Sequence, residues 1–144
     1  MTVSQRVVTT STAPGPPALE RAGFTGGVLP AACPTRVVLD HVTSKWGVLV
    51  LVALSQESLR WGGLRRVVQG ISEKMLAQSL QTLERDGWVH REVRSTIPPH
   101  VEYRLTEAGA ELVPHLLGLI GFVEGRMPAV RAAQAAADRA RPPR

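Results

Sequence analysis

Lys74, Gln78, Gln81 and Arg85 recur at steps of four, three and four residues, the spacing that puts side chains on one face of a helix. Their chemistry is hydrogen bonding rather than bond making. A glutamine amide can donate to and accept from an adenine edge at once, and lysine or arginine can donate to guanine or phosphate. Ser72 stands just ahead of them, where its hydroxyl and the free amides of a helix start suit a phosphate. Ser72, Lys74 and Gln78 lie nearest the helix start and are expected to enter a duplex groove. Gln81 and Arg85 lie further along, within reach of the backbone, and Thr82 is expected to face outward with them.

Residues that could make and break bonds are few. Cys33 is the only cysteine, and His41, His90, His100 and His115 are scattered. On one helix Cys33 and His41 would lie about 12 Å apart, which excludes a nucleophile–base dyad within that helix. No histidine pair has metal-ligand spacing, one chain cannot form a four-cysteine zinc site, and there is no Gly-rich phosphate loop. No metal, cofactor or enzymatic activity is therefore expected. Cys33 precedes Pro34, near a helix start whose positive end lowers a thiol pKa, and Arg36 is close by. It is a candidate redox-sensing residue, the alternative being a small buried hydrophobe. Lacking a second cysteine, it could form a disulfide only with another subunit or a small thiol.

The 144-residue chain carries a net charge of +5, and 15 of its 17 basic residues are arginine. Residues 60–104 hold eight basic and five acidic side chains. Arg60, Arg65, Arg66, Arg91 and Arg94 surround the amide-bearing segment and could neutralise phosphates; such a surplus favours a polyanion. No run of 18 apolar residues exists, and the N-terminus lacks a charged start followed by an apolar stretch, so neither a membrane span nor a secretory signal is expected. The single cysteine fits a reducing compartment, and the expected location is the cytoplasm, at the nucleoid.

Something must position these groups. Residues 1–30 are rich in Ser, Thr, Gly and Pro and are expected to form a tail, with Arg6 and Arg21 solvated. Residues 31–125 are expected to form the folded domain, and 126–144 an Ala/Arg-rich extension that could prolong the last helix. Pro34 suits a helix start, and Ser44 an N-cap. Beyond it Trp46, Leu49, Val50, Ala53 and Leu54 form one helical stripe, although Val48, Leu51 and Val52 make the segment apolar nearly all round. A short helix near 61–68, with Leu64, Val67 and Val68 inward, is followed by the turn Gln69-Gly70-Ile71. A second helix near 72–85 carries Met75, Leu76, Leu80 and Leu83 inward, which makes a helix-turn-helix. Asp86-Gly87 ends it. Trp88–Arg94, with Val89 and Val93 on one side, and Val101–Leu105 read as two strands, with Ile97-Pro98-Pro99 in the loop between them. Arg94, Ser95 and His100 are the expected wing contacts. Thr106 caps a helix to about Glu124, in which Pro114 should produce a kink. The expected fold class is α+β, mainly α: a winged helix-turn-helix with a two-stranded β-hairpin wing and flanking dimerisation helices.

The combination Gly70-Ile71-Ser72-Glu73-Lys74-Met75-Leu76 with Pro98-Pro99-His100-Val101-Glu102-Tyr103 resembles the HxlR family of bacterial transcription regulators, which are MarR-like winged helices. Cys33-Pro34, Lys45-Trp46, Leu64-Arg65, Asp86-Gly87-Trp88-Val89-His90-Arg91 and Leu105-Thr106-Glu107-Ala108-Gly109 match it too, over about residues 33–120. Gly47, Trp61 and Gly62-Gly63 depart from its usual residues. The resemblance implies a homodimer built on the terminal helices, double-stranded DNA as partner with two symmetry-related half-sites, and sensing of oxidants or electrophiles at the Cys33 position. Two other readings stay open. One is a winged helix used for protein contact with weak DNA binding. The other is a small-molecule effector site between the dimer helices and the winged domain, lined by Trp46 and Trp61.

Overall fold

The computed structural model describes residues 27–144; the first 26 residues, with Arg6, Arg21 and most of the expected tail, lie outside the described residues. The chain divides into two compact units, Met1–Val37 and Val38–Arg144, and each is taken by itself.

In the first unit a turn leads to Cys33, whose amide donates to the Pro30 carbonyl at 3.1 Å. Pro34 then opens helix α1 (Pro34–Thr43), and the Arg36 guanidinium reaches back to the Leu29 carbonyl at 3.1 Å. Proline suits this first turn because its missing N–H would have no helical acceptor there.

In the second unit Ser44 caps α2 (Lys45–Leu54), its Oγ accepting from the Gly47 amide at 3.2 Å. A Cβ on Gly47 would lie 2.3 Å from the His41 carbonyl oxygen and 2.7 Å from Ser44 Oγ, so only glycine permits this close corner. The departure at Gly47 thus has a steric reason. The buried face of α2 is Gly47, Val50, Leu51, Ala53 and Leu54. Val50, Ala53 and Leu54 are buried as expected, but Leu51, off the expected stripe, is fully buried, and Leu49, on it, is 40% exposed. In a helix apolar all round, periodicity cannot fix which side turns inward.

A strand that the sequence reading did not anticipate follows: β1 (Leu59–Arg60) leads directly into α3 (Trp61–Val67). Leu64 and Val68 are buried as expected, whereas Val67 is 58% exposed. Gly70, at φ +86°, makes the turn of the helix-turn-helix. Ser72 caps α4 (Glu73–Arg85) by accepting from the Met75 amide at 3.1 Å, and Leu76, Leu80 and Leu83 are its buried side chains. Gly87, at φ +83°, ends the helix in the left-handed conformation that favours glycine.

The wing is β2 (Val89–Arg94) and β3 (His100–Leu105), joined by residues 95–99. This is the two-stranded hairpin expected, and β1 adds to it to form a three-stranded antiparallel sheet in the order β1-β3-β2. Val89 enters the core, but Val93 on the same side is 58% exposed, because the hairpin runs out past the helices. Helix α5 (Glu107–Ala140) begins at Thr106, whose Oγ1 accepts from the Gly109 amide at 3.1 Å and donates to the Gly87 carbonyl at 2.6 Å. It does not end near Glu124 but continues through Pro114 and Pro128 as one helix. Its last buried residue is Leu116. Leu51, Leu64, Leu76 and Leu83 centre the core; truncating one such leucine typically costs about 2–5 kcal/mol. The architecture is a mainly helical α+β winged helix.

Candidate nucleic-acid interface

The outer side of α4 is set by its inner side. With Leu76, Leu80 and Leu83 buried, Lys74, Gln78, Gln81 and Arg85 emerge exposed as one row, and none is hydrogen-bonded to another group among the described residues. Thr82 departs from the expectation: it is partly buried against the α1–α2 corner. A cavity of about 310 Å³ lies there, with Asp40, Ser44, Gln78 and Thr82 as well as Met75 and Leu83 in its wall. Gln78 therefore stands at the edge of this recess as well as in the outer row. The Ser72 hydroxyl is exposed; its oxygen is engaged by the cap, and its proton remains able to donate.

A pair that the sequence reading passed over holds the far end of α4. His41 Nδ1 lies 2.5 Å from Asp86 Oδ2, and Asp86 is the C-cap residue of α4. The two side chains are 29% and 14% exposed, so this contact between the end of α1 and the end of α4 is sheltered from solvent. His41 had read as one scattered histidine because its partner is 45 residues away.

The arginines separate into groups. Arg91 shares a groove of about 360 Å³ with Gln81, Trp61 and Tyr103, between α4 and the wing. Arg66 is exposed without an ion-pair partner among the described residues, and Arg65 meets Glu73 at 3.1 Å. The strand register places Arg91 opposite Tyr103 on the face of the sheet that continues into the core. Alternation puts His90, Glu92 and Arg94, with their partners Arg104, Glu102 and His100, on the other face, and Arg60 pairs with Glu102 there. Arg60 and Arg94 thus lie across the sheet from Arg91.

Arg94 is also engaged. Its Nε donates to Glu102 at 2.7 Å, and its Nη2 lies 3.5 Å from Glu92. Glu92 and Glu102 are direct partners across the ladder, an arrangement of like charges that destabilises a sheet unless a cation intervenes. The hydrogen bond to Glu102, then the charge of Glu92, raises the Arg94 pKa. The same hydrogen bond from Arg94 holds the Glu102 carboxyl below its ordinary value, more than desolvation raises it. His100 is partly buried, with its ring 3.1 Å from Thr96 Oγ1 and 3.8 Å from Glu102, while Ser95 is exposed in the wing loop.

Cys33, in the first unit, is partly buried. Its thiol is held below the ordinary value, chiefly by the Arg36 backbone amide at the helix start; desolvation opposes this, and Thr35 and the Arg36 charge add to the lowering. Trp61 lines the groove beside the wing, and Trp46 packs on the core under Lys45, whose ammonium lies 4.2 Å from its ring centroid. Among the described residues no single helix is long and apolar enough to cross a membrane.

Comparison with known proteins adds to this geometry. The family described as HxlR-like helix-turn-helix matches residues 41–130. The uncharacterized HTH-type transcriptional regulator YtfH of Escherichia coli is 49% identical over 107 residues, covering 74% of this chain and 85% of its own length. A solved structure of ytfH from Salmonella typhimurium, described as a transcriptional regulator, is 48% identical, covers 74% of this chain and 95% of that one, and superposes with a TM-score of 0.69. The redox regulator HypR in its oxidized form is 38% identical, over 65% of this chain and 96% of that one, with a TM-score of 0.60. By this match and by its fold, the chain belongs to the HxlR-like helix-turn-helix family, whose relatives are transcriptional regulators.

Proposed function

We propose that this protein is a sequence-specific, double-stranded DNA-binding transcription regulator that acts as a homodimer. The observation that carries this reading is the exposed row Lys74, Gln78, Gln81 and Arg85 on the second helix of a helix-turn-helix, uncommitted to other groups among the described residues. A major groove admits an α-helix, and these side chains carry the donors and acceptors that distinguish base edges there. Ser72, Arg65, Arg66 and Arg91 supply phosphate contacts around it, and Ser95 and His100 supply contacts from the wing. Arg60 and Arg94 contribute charge from the far face of the sheet.

The second subunit is supported by α5. Beyond Leu116 the helix has no buried residue, yet it carries Leu119 at 55%, Phe122 at 63% and Val123 at 46% exposure. A helix of this kind gains stability by covering its apolar side. Two copies joined through α5 would present two α4 helices to two half-sites.

Cys33 supports a redox or electrophile response: its thiol is lowered toward the reactive thiolate, and a redox regulator is among the structural relatives. The deciding experiment selects duplexes from a random pool and measures their anisotropy with wild-type protein and with Lys74→Ala and Gln78→Ala. Enrichment of one two-fold-symmetric sequence, lost in both variants, supports the reading. Failure to enrich any duplex overturns it.

A further inference from the structure

Helices α2 and α3 and strand β1 enclose an open cavity of about 410 Å³ that the DNA-contacting surface does not use. Its wall is mainly apolar, with Val52, Leu59, Val67 and Val68 contributing, and neither Trp46 nor Trp61 reaches it. Such a volume falls in the range of small-molecule sites. The polar groups at its edge are Gln56, Gln69 and Glu57. Glu57 is the single charged residue of the wall, is exposed, and has no ion-pair partner among the described residues, in a chain whose net charge is +5. Val67, half of whose surface is open, is an apolar residue that the fold leaves beside this space.

We propose that this cavity binds a small organic monocation, an apolar or aromatic body bearing one ammonium or amidinium group, with the body against Val52, Leu59 and Val68 and the charge at Glu57. Charge complementarity selects the class. An anion would face the Glu57 carboxylate with only the neutral amides of Gln56 and Gln69 to offset it, and a neutral ligand would leave that carboxylate partly desolvated without compensation. The position also gives such a ligand leverage. Val68 and Gln69 close α3 and lead through Gly70 to the cap of α4, so an occupant would brace the turn that aims the recognition row. That regulatory role rests on the DNA-binding reading; the binding itself does not.

The test therefore uses protein without DNA. Benzyltrimethylammonium and its neutral isostere neopentylbenzene are titrated against the full chain labelled at Leu, Val and Ile methyls. The expected result is saturable shifts confined to Val52, Leu59, Val67 and Val68, with the cation at least tenfold tighter. Glu57→Gln removes the preference, Val67→Lys at the exposed edge weakens the cation at least tenfold, and Glu111→Gln, a remote exposed acid, changes nothing. Equal affinity for the two probes, or shifts scattered over the surface, overturns the proposal. So does a change of oligomeric state in Val67→Lys, which would mark the groove as a contact between subunits.

Discussion

The carbonyl oxygen of Trp88 occupies the space that a side chain on Gly109 would need: a Cβ there would lie 2.2 Å from that oxygen. The Trp88 carbonyl also accepts the Thr106 amide at 3.1 Å. The strand that begins the wing and the helix that follows it are thus joined backbone to backbone. Gly109→Ala should destabilise the fold by about 1–3 kcal/mol, because the obstacle is main chain that cannot rotate away. Gly62, on α3, has open space in the same direction, and Gly62→Ala should stabilise by about 0.5 kcal/mol. Urea denaturation of both variants gives the comparison.

Base readout and charge neutralisation should separate by salt. Gln78→Ala should cost about 1–3 kcal/mol on the selected duplex and little on random DNA. Arg66→Ala should weaken both and reduce the log–log salt slope by about 0.9 per lost contact. Anisotropy titrations at two salt concentrations read both quantities. An Arg66 variant with unchanged slope would remove that residue from the interface.

Cys33 should alkylate faster than an ordinary thiol at neutral pH, since its pKa is lowered. The iodoacetamide rate plotted against pH should rise at lower pH than for free cysteine. Diamide should alter duplex affinity in wild type and leave Cys33→Ser unaffected. An alteration that persists in Cys33→Ser would place the sensitivity elsewhere.

The carboxyl of Glu102 has a lowered pKa in the folded chain, mainly through Arg94. The unfolded state therefore binds its proton more readily. The pair's stabilisation is present above the unfolded pKa and is lost as pH falls through the folded one. Wild type should exceed Glu102→Gln in urea midpoint at neutral pH, by a small margin because the pair is solvent-screened. The two midpoints should converge in acid, and a difference that persists there would assign the stabilisation to packing instead.

Much of this molecule was legible before any coordinates. The caps at Ser44, Ser72 and Thr106 and the turn glycines Gly70 and Gly87 follow from local chemistry, and all stand where the sequence puts them. What escaped depends on phase or on partners far away in the chain. Leu51 and Leu49 exchanged places because α2 is apolar on every side, so burial was decided by the elements around it. Two residues of β1 are too short to show alternation, and Leu59 became a strand only by pairing with Tyr103. Val67 and Val93 have the right residue type for a core but extend past its edge. Arg94 read as a free cation because its engagement with Glu102 needs a strand register that no local pattern reveals.

The two facing glutamates of the wing hold their shared arginine already occupied. Whatever hydrogen bonds Arg94 lends to a polyanion are withdrawn from Glu92 and Glu102, leaving two negative groups face to face beside a third. On the DNA-binding reading proposed above, a loosely seated duplex would return too little to offset that repulsion, and the hairpin would favour a well-fitted duplex over indiscriminate adhesion.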